Sequence, residues 1–120
     1  MRISSERFEE LAFALANEIL DRLPPDLRAA AETVVLDIAV APGPGQDRDL
    51  LGLYEGVPLV ERHADGVLLT PDRITLFQRP HETMARSEAE LRREIHRTLI
   101  HELGHFFGFD EDELERRGWA

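Results

Sequence analysis

Eleven residues near the end of the chain, His101 to Glu111, read HELGHFFGFDE and hold the one spacing in the sequence that dictates a chemistry. On a helix, His101 and His105 share a face about 6 Å apart along the axis, so two imidazoles can converge on one metal ion. Glu102 stands between them, off their direct line yet close enough to hold a metal-bound water, as a general base must. Gly108 can adopt a left-handed conformation, end the helix and turn the chain back towards the metal. Glu111 then arrives where a third ligand would stand, with Asp110 as the alternative. Asp110 is also placed to cap a final helix, Glu113 completing the box, and a carboxylate that accepts backbone N–H groups is less free to bind metal. The same string can arise on an ordinary solvated helix. Gly104, a costly residue inside a helix, and a carboxylate at the third-ligand place weigh against that.

Composition narrows what such a centre can be. The chain has 120 residues, a length suited to one domain with a two-layer core. With 14 Lys plus Arg against 24 Asp plus Glu, its formal net charge of -10 argues against nucleic acid or an anionic membrane as the main partner. There is no cysteine, so a metal must rest on His and carboxylate. The apolar run Leu11 to Ala16 is flanked by Glu9, Glu10 and Glu18, too short for a membrane span and wrongly flanked for a signal peptide, so a cytoplasmic location is expected.

The elements that must position the motif follow from periodicity. Phe8, Leu11, Ala12, Leu15 and Ile19 recur at helical spacing between a Ser5 cap and Pro24-Pro25, predicting a helix over 5–23. A short helical piece over 26–32 leads into Thr33 to Val40, where Val34, Leu36, Ile38 and Val40 predict the apolar face of a strand. Residues 41–49, rich in Pro and Gly, read as a surface connection, and LLGLYEGVPLVER as a brief strand with a tight turn. Tyr54, the only tyrosine, suits packing, or else a phenol that stabilises a tetrahedral intermediate. Arg73, Ile74, Thr75, Leu76, Phe77 and Gln78 form the clearest second strand, and bracketing by Pro71 and Pro80 predicts an edge strand. Ser87 and Glu90 open a helix running to Phe107, with Leu91, Ile95, Leu99, Leu103 and Phe106 as its buried stripe and Glu94, Thr98, His101 and His105 as an adjoining polar one. His63 and His81 are expected in loops and His96 on a solvated face. A last short helix over 111–117 is closed by Gly118, with Trp119 folding back onto the core.

Three stretches taken together, LLGLYEGVPL at 50–59, PDRITLFQRP at 71–80 and HELGHFFGFDEDELERRGW at 101–119, resemble a family of minimal zincin-like metallopeptidases, short bacterial proteins described as possible zinc metallopeptidases. The resemblance implies an α+β fold: a small mixed sheet packed against an N-terminal helix and the HExxH helix, followed by a short C-terminal helix. It also implies zinc as cofactor, His101 and His105 as its ligands, Glu102 as the catalytic carboxylate, and hydrolysis of peptide bonds. Family motifs place His or Asp where this chain has Glu111. Both methionines, Met1 and Met84, precede the motif, so the methionine turn of the metzincins is excluded.

The expected mechanism has Glu102 take a proton from the zinc-held water and pass it to the leaving amine. The expected substrate is a peptide or unfolded protein segment added as a strand to the 73–78 edge. So short a chain leaves a shallow cleft, completed by a protein partner or by self-association. The alternatives are a zinc-binding pseudo-enzyme or interaction module without proteolysis, and a hydrolase of another substrate such as RNA. The net charge stands against RNA, and Glu102, superfluous in a purely structural site, against a scaffold.

Overall fold

In the computed structural model, which describes residues 1–57 and 71–118, helix α1 spans Ser5–Arg22. Its cap is Ser4, one residue before the expected one, whose hydroxyl accepts from the Arg7 amide at 3.1 Å. The predicted stripe Phe8, Leu11, Ala12, Leu15 and Ile19 is buried. Helix α2 covers Pro25–Ala31, with proline at its first position, where the ring's fixed φ suits the helix and a missing N–H loses nothing. Strands β1 (Val35–Ala39), β2 (Gly52–Glu55) and β3 (Arg73–Phe77) follow, then α3 (Gln78–Met84), α4 (Glu88–Phe107) and α5 (Glu111–Arg116). His63 and Trp119 lie outside the described residues.

The three strands form one mixed sheet in the order β1-β3-β2. β3 runs parallel to β1, from Val35 opposite Arg73 to Ala39 opposite Phe77, and antiparallel to β2, from Gly52 opposite Leu76 to Glu55 opposite Arg73. The edge strand expected over Arg73, Ile74, Thr75, Leu76, Phe77 and Gln78 is therefore the central strand, paired on both sides, and Gln78 already belongs to α3. Neither proline marks a sheet edge. Pro71 precedes the ladder and Pro80 sits in the first turn of α3, so neither removes a donor from the sheet.

The sheet and α1 pack on α4, whose residues Leu91, Ile95, Leu99, Leu103 and Phe106 are buried. Ser87 accepts from the Glu90 amide at 3.2 Å, and the Glu90 carboxylate reaches the Arg86 amide at 2.8 Å, so two amide donors at the helix start are satisfied. These side chains join those of α1 and β3 in one core cluster, each fully buried Leu, Ile or Phe contributing about 1.5–3 kcal/mol of transfer free energy.

Helix α3 was not visible in the sequence, and it changes the place of His81. Expected in a loop, His81 is fully buried, with Nδ1 2.7 Å from the Phe77 carbonyl and Nε2 3.0 Å from Thr98 Oγ1 on α4. The Phe77 carbonyl can only accept, so Nδ1 carries a proton. Burial pushes the imidazole below its usual pKa, against the raising effect of that carbonyl and of Glu94. The sign follows: the unfolded chain takes up a proton near the ordinary histidine value of about 6.5 while the folded chain does not, so this contribution is fully present above that pH and is lost as pH falls below it. Denaturant midpoints measured on the metal-free chain should decline more steeply from pH 7 to pH 5 in the wild type than in a His81→Gln variant.

Candidate metal centre

Helix α4 carries His101, Glu102 and His105 in its last two turns, as the motif predicts. The two imidazoles meet edge to face, ring centres 4.7 Å apart, with the Nε2 atoms separated by 3.1 Å. Among the described residues, His101, Glu102 and His105 are the group of possible ligands whose donor atoms all lie within 4.8 Å of one another. Two nitrogens each about 2.0–2.1 Å from a tetrahedral zinc would stand roughly 3.3–3.4 Å apart, so the observed pair fits such an ion after a shift of a few tenths of an ångström.

The turn after the helix is built from its glycines. Gly108, at φ 83°, takes the left-handed conformation, and the amides of Gly108 and Phe109 return to His105 O and Gly104 O, each at 3.0 Å. Asp110 caps α5, its carboxylate accepting from the Glu113 amide at 2.8 Å. The Glu113 side chain does not complete a reciprocal box: it pairs with Arg116 and Arg117 instead. The bend brings Glu111 Oε1 to 3.6 Å from His101 Nε2, with its side chain still 69 % exposed.

Gly104 permits this docking. A Cβ at that position would be driven into the fully buried Leu114 of α5, so the missing side chain is what lets α5 close against α4. A Gly104→Val variant should lose about 1–3 kcal/mol of stability by overpacking, read from denaturant midpoints, and should bind zinc more weakly because Glu111 moves with α5. The two acids separate by the same logic. Glu111→Ala should weaken zinc affinity with little change in stability, whereas Asp110→Ala should loosen α5 by about 1 kcal/mol. Zinc titration and thermal unfolding of the pair check this, and loss of metal from the Asp110 variant alone would give the ligand role to Asp110.

Glu102 is held from the sheet. Gly52 opens β2 against α4, where a Cβ would stand 2.6 Å from Thr98 Cγ2 and 3.3 Å from Glu102 Cγ. With nothing larger in the way, the Tyr54 amide donates to Glu102 Oε1 at 3.1 Å and orients the carboxylate. No local signal in the sequence joins residues 48 positions apart, and the glycine inside a short strand was the only pointer to a close approach. The Tyr54 phenol is engaged too. Its hydroxyl donates to Asp72 Oδ1 at 2.7 Å and its ring meets Phe106 edge-on at 6.1 Å, an arrangement that serves packing. A cleft of about 410 Å³ opens beside His101 and Glu102, bounded by Asp47, Asp49, Leu51 and Gly52 on one side and by Arg97 and Thr98 of α4 on the other. Residues of the Pro/Gly-rich connection thus form a wall of the site.

A two-histidine, one-glutamate constellation on the last turns of a helix, packed beneath a small mixed sheet, defines the class of HExxH metal centres. The chain belongs to the zincin-like metallopeptidases: the family model for zincin-like metallopeptidase matches residues 29–119, from α2 to the end of α5 and beyond. No curated protein matches the sequence. Among the described residues, no helix is long and apolar enough to cross a membrane.

Proposed function

We propose that the protein is a zinc-dependent peptidase in which His101, His105 and Glu111 hold the metal and Glu102 is the catalytic carboxylate. One observation carries this reading: Glu102 is fixed by the Tyr54 amide beside a pair of Nε2 atoms 3.1 Å apart, at the mouth of a cleft. A purely structural site needs no carboxylate held beside the metal ligands without binding the metal itself. Zinc, when bound, supplies a Lewis acid that polarises a carbonyl and lowers the pKa of water. The chain's own part is proton handling. Glu102, with Oε1 held by the amide, takes a proton from the attacking water and delivers it to the leaving nitrogen.

Because β3 is central, substrate is not added to it as a strand. The cleft between residues 47–52 and α4 takes that place, and its open wall suits an extended or unfolded peptide segment. A second protein or a second copy of the chain would complete the missing wall, in a cytoplasmic setting. Digestion of a peptide library by the zinc-loaded chain, with and without chelator, tests the reading: chelator-sensitive cleavage supports it, and a library left intact by the loaded chain favours a zinc-binding module without proteolysis.

A further inference from the structure

A second concavity lies on the far side of α4. It is a groove of about 650 Å³ between α1, α4 and the end of α5, floored by Leu15, Ile19, Leu23 and Ile100. Its rim carries Arg22, Arg92, Arg93, Arg97 and Arg117 together with His96. The chain contains no lysine, so five of its 14 cationic side chains converge here in a molecule of net charge -10. Local neutralisation is incomplete. Arg117 pairs with Glu113 at 2.8 Å, but Arg97 reaches Glu94 only at 3.5 Å and Arg92 reaches Glu18 only at 3.8 Å. Arg22 and Arg93 make no ion pair with a described residue. Like charges gathered this closely repel one another, and an anionic occupant relieves that repulsion.

We infer that this groove docks an acidic, apolar-interspersed segment of a polypeptide substrate, whose chain continues past Arg97 into the cleft at His101 and Glu102. The inference rests on the peptidase reading for the word substrate, and on the groove alone for the docking. Arg97 joins the two parts, because it lines both the groove and the catalytic cleft. The apolar floor selects the class of ligand. Alternating carboxylate and aliphatic side chains can place the former on guanidiniums, which take carboxylates in paired hydrogen bonds, and the latter on Leu23 and Ile100. A nucleic-acid backbone offers nothing aliphatic to that floor, and the overall charge of -10 opposes a long polyanion.

The test is fluorescence anisotropy with a labelled peptide alternating Glu and Leu, and with the same peptide carrying Gln for Glu, on the Glu102→Gln chain so that nothing is cleaved. The Glu peptide should bind and weaken with added salt, and the Gln peptide should bind far more weakly. An Arg22→Gln, Arg93→Gln double variant, altered only at exposed positions, should lose about tenfold in affinity for each guanidinium removed, whereas Arg28→Gln, whose guanidinium pairs with Asp21 and Glu32, should lose little. Equal binding by the double variant, or by the Gln peptide, overturns the proposal. So does tighter binding of a single-stranded oligonucleotide, or binding only by a chain cut after Gly118, which would give the groove to residues 119–120. Failure of the peptidase reading looks different: a wild-type chain that cleaves nothing while its groove still selects the acidic peptide upholds the docking and removes the catalysis.

Discussion

Replacing Glu102 with Gln should leave the zinc content unchanged and lower peptide hydrolysis by about 10²–10⁴-fold, the range that general-base assistance supplies. Gln keeps the size of the side chain and can still accept from the Tyr54 amide, so the fold and the β2–α4 contact persist. What it loses is the ability to take a proton. Zinc content and turnover, measured on the same preparation, separate this from loss of metal. Unchanged turnover would move the activity to other residues or to a contaminant.

The second large effect falls on the metal. A His101→Ala, His105→Ala variant should drop from about one zinc per chain to background, because the remaining carboxylates cannot replace two imidazoles and no cysteine exists to take over. The fold should survive. Both side chains are only partly buried, while the core contacts of α4 belong to Leu91, Ile95, Leu99, Leu103 and Phe106. Circular dichroism checks folding and elemental analysis checks the metal, and a folded variant with full zinc content contradicts the assignment.

How far the sequence could be read depended on the range of the interactions involved. Helices α1 and α4 were legible because their stripes repeat every three or four residues and their caps lie a few residues away. The motif on α4 and the turn at Gly108 were legible for the same reason. The position of β3 was not: whether a strand is central depends on partners far along the chain, here Val35–Ala39 and Gly52–Glu55. Helix α3 was hidden because it starts directly after β3 with no side-chain cap and carries Pro80 in its first turn, where proline reads equally well as a breaker. Missing α3 put His81 on the surface when it belongs to the core. Nor could the cost of Gly104 be interpreted from the motif alone, since its reason, Leu114, lies ten residues on and meets it only after the chain has turned back.

The central claim is that two imidazoles and a carboxylate on the α4–α5 corner hold one zinc ion. X-ray absorption at the zinc edge of the loaded chain tests it most directly. The account predicts about four nitrogen or oxygen neighbours at about 2.0–2.1 Å, with the outer-shell scattering of two imidazole rings, and loss of that imidazole signature in the His101→Ala, His105→Ala variant. A six-coordinate shell of oxygen alone in the wild-type chain would contradict it.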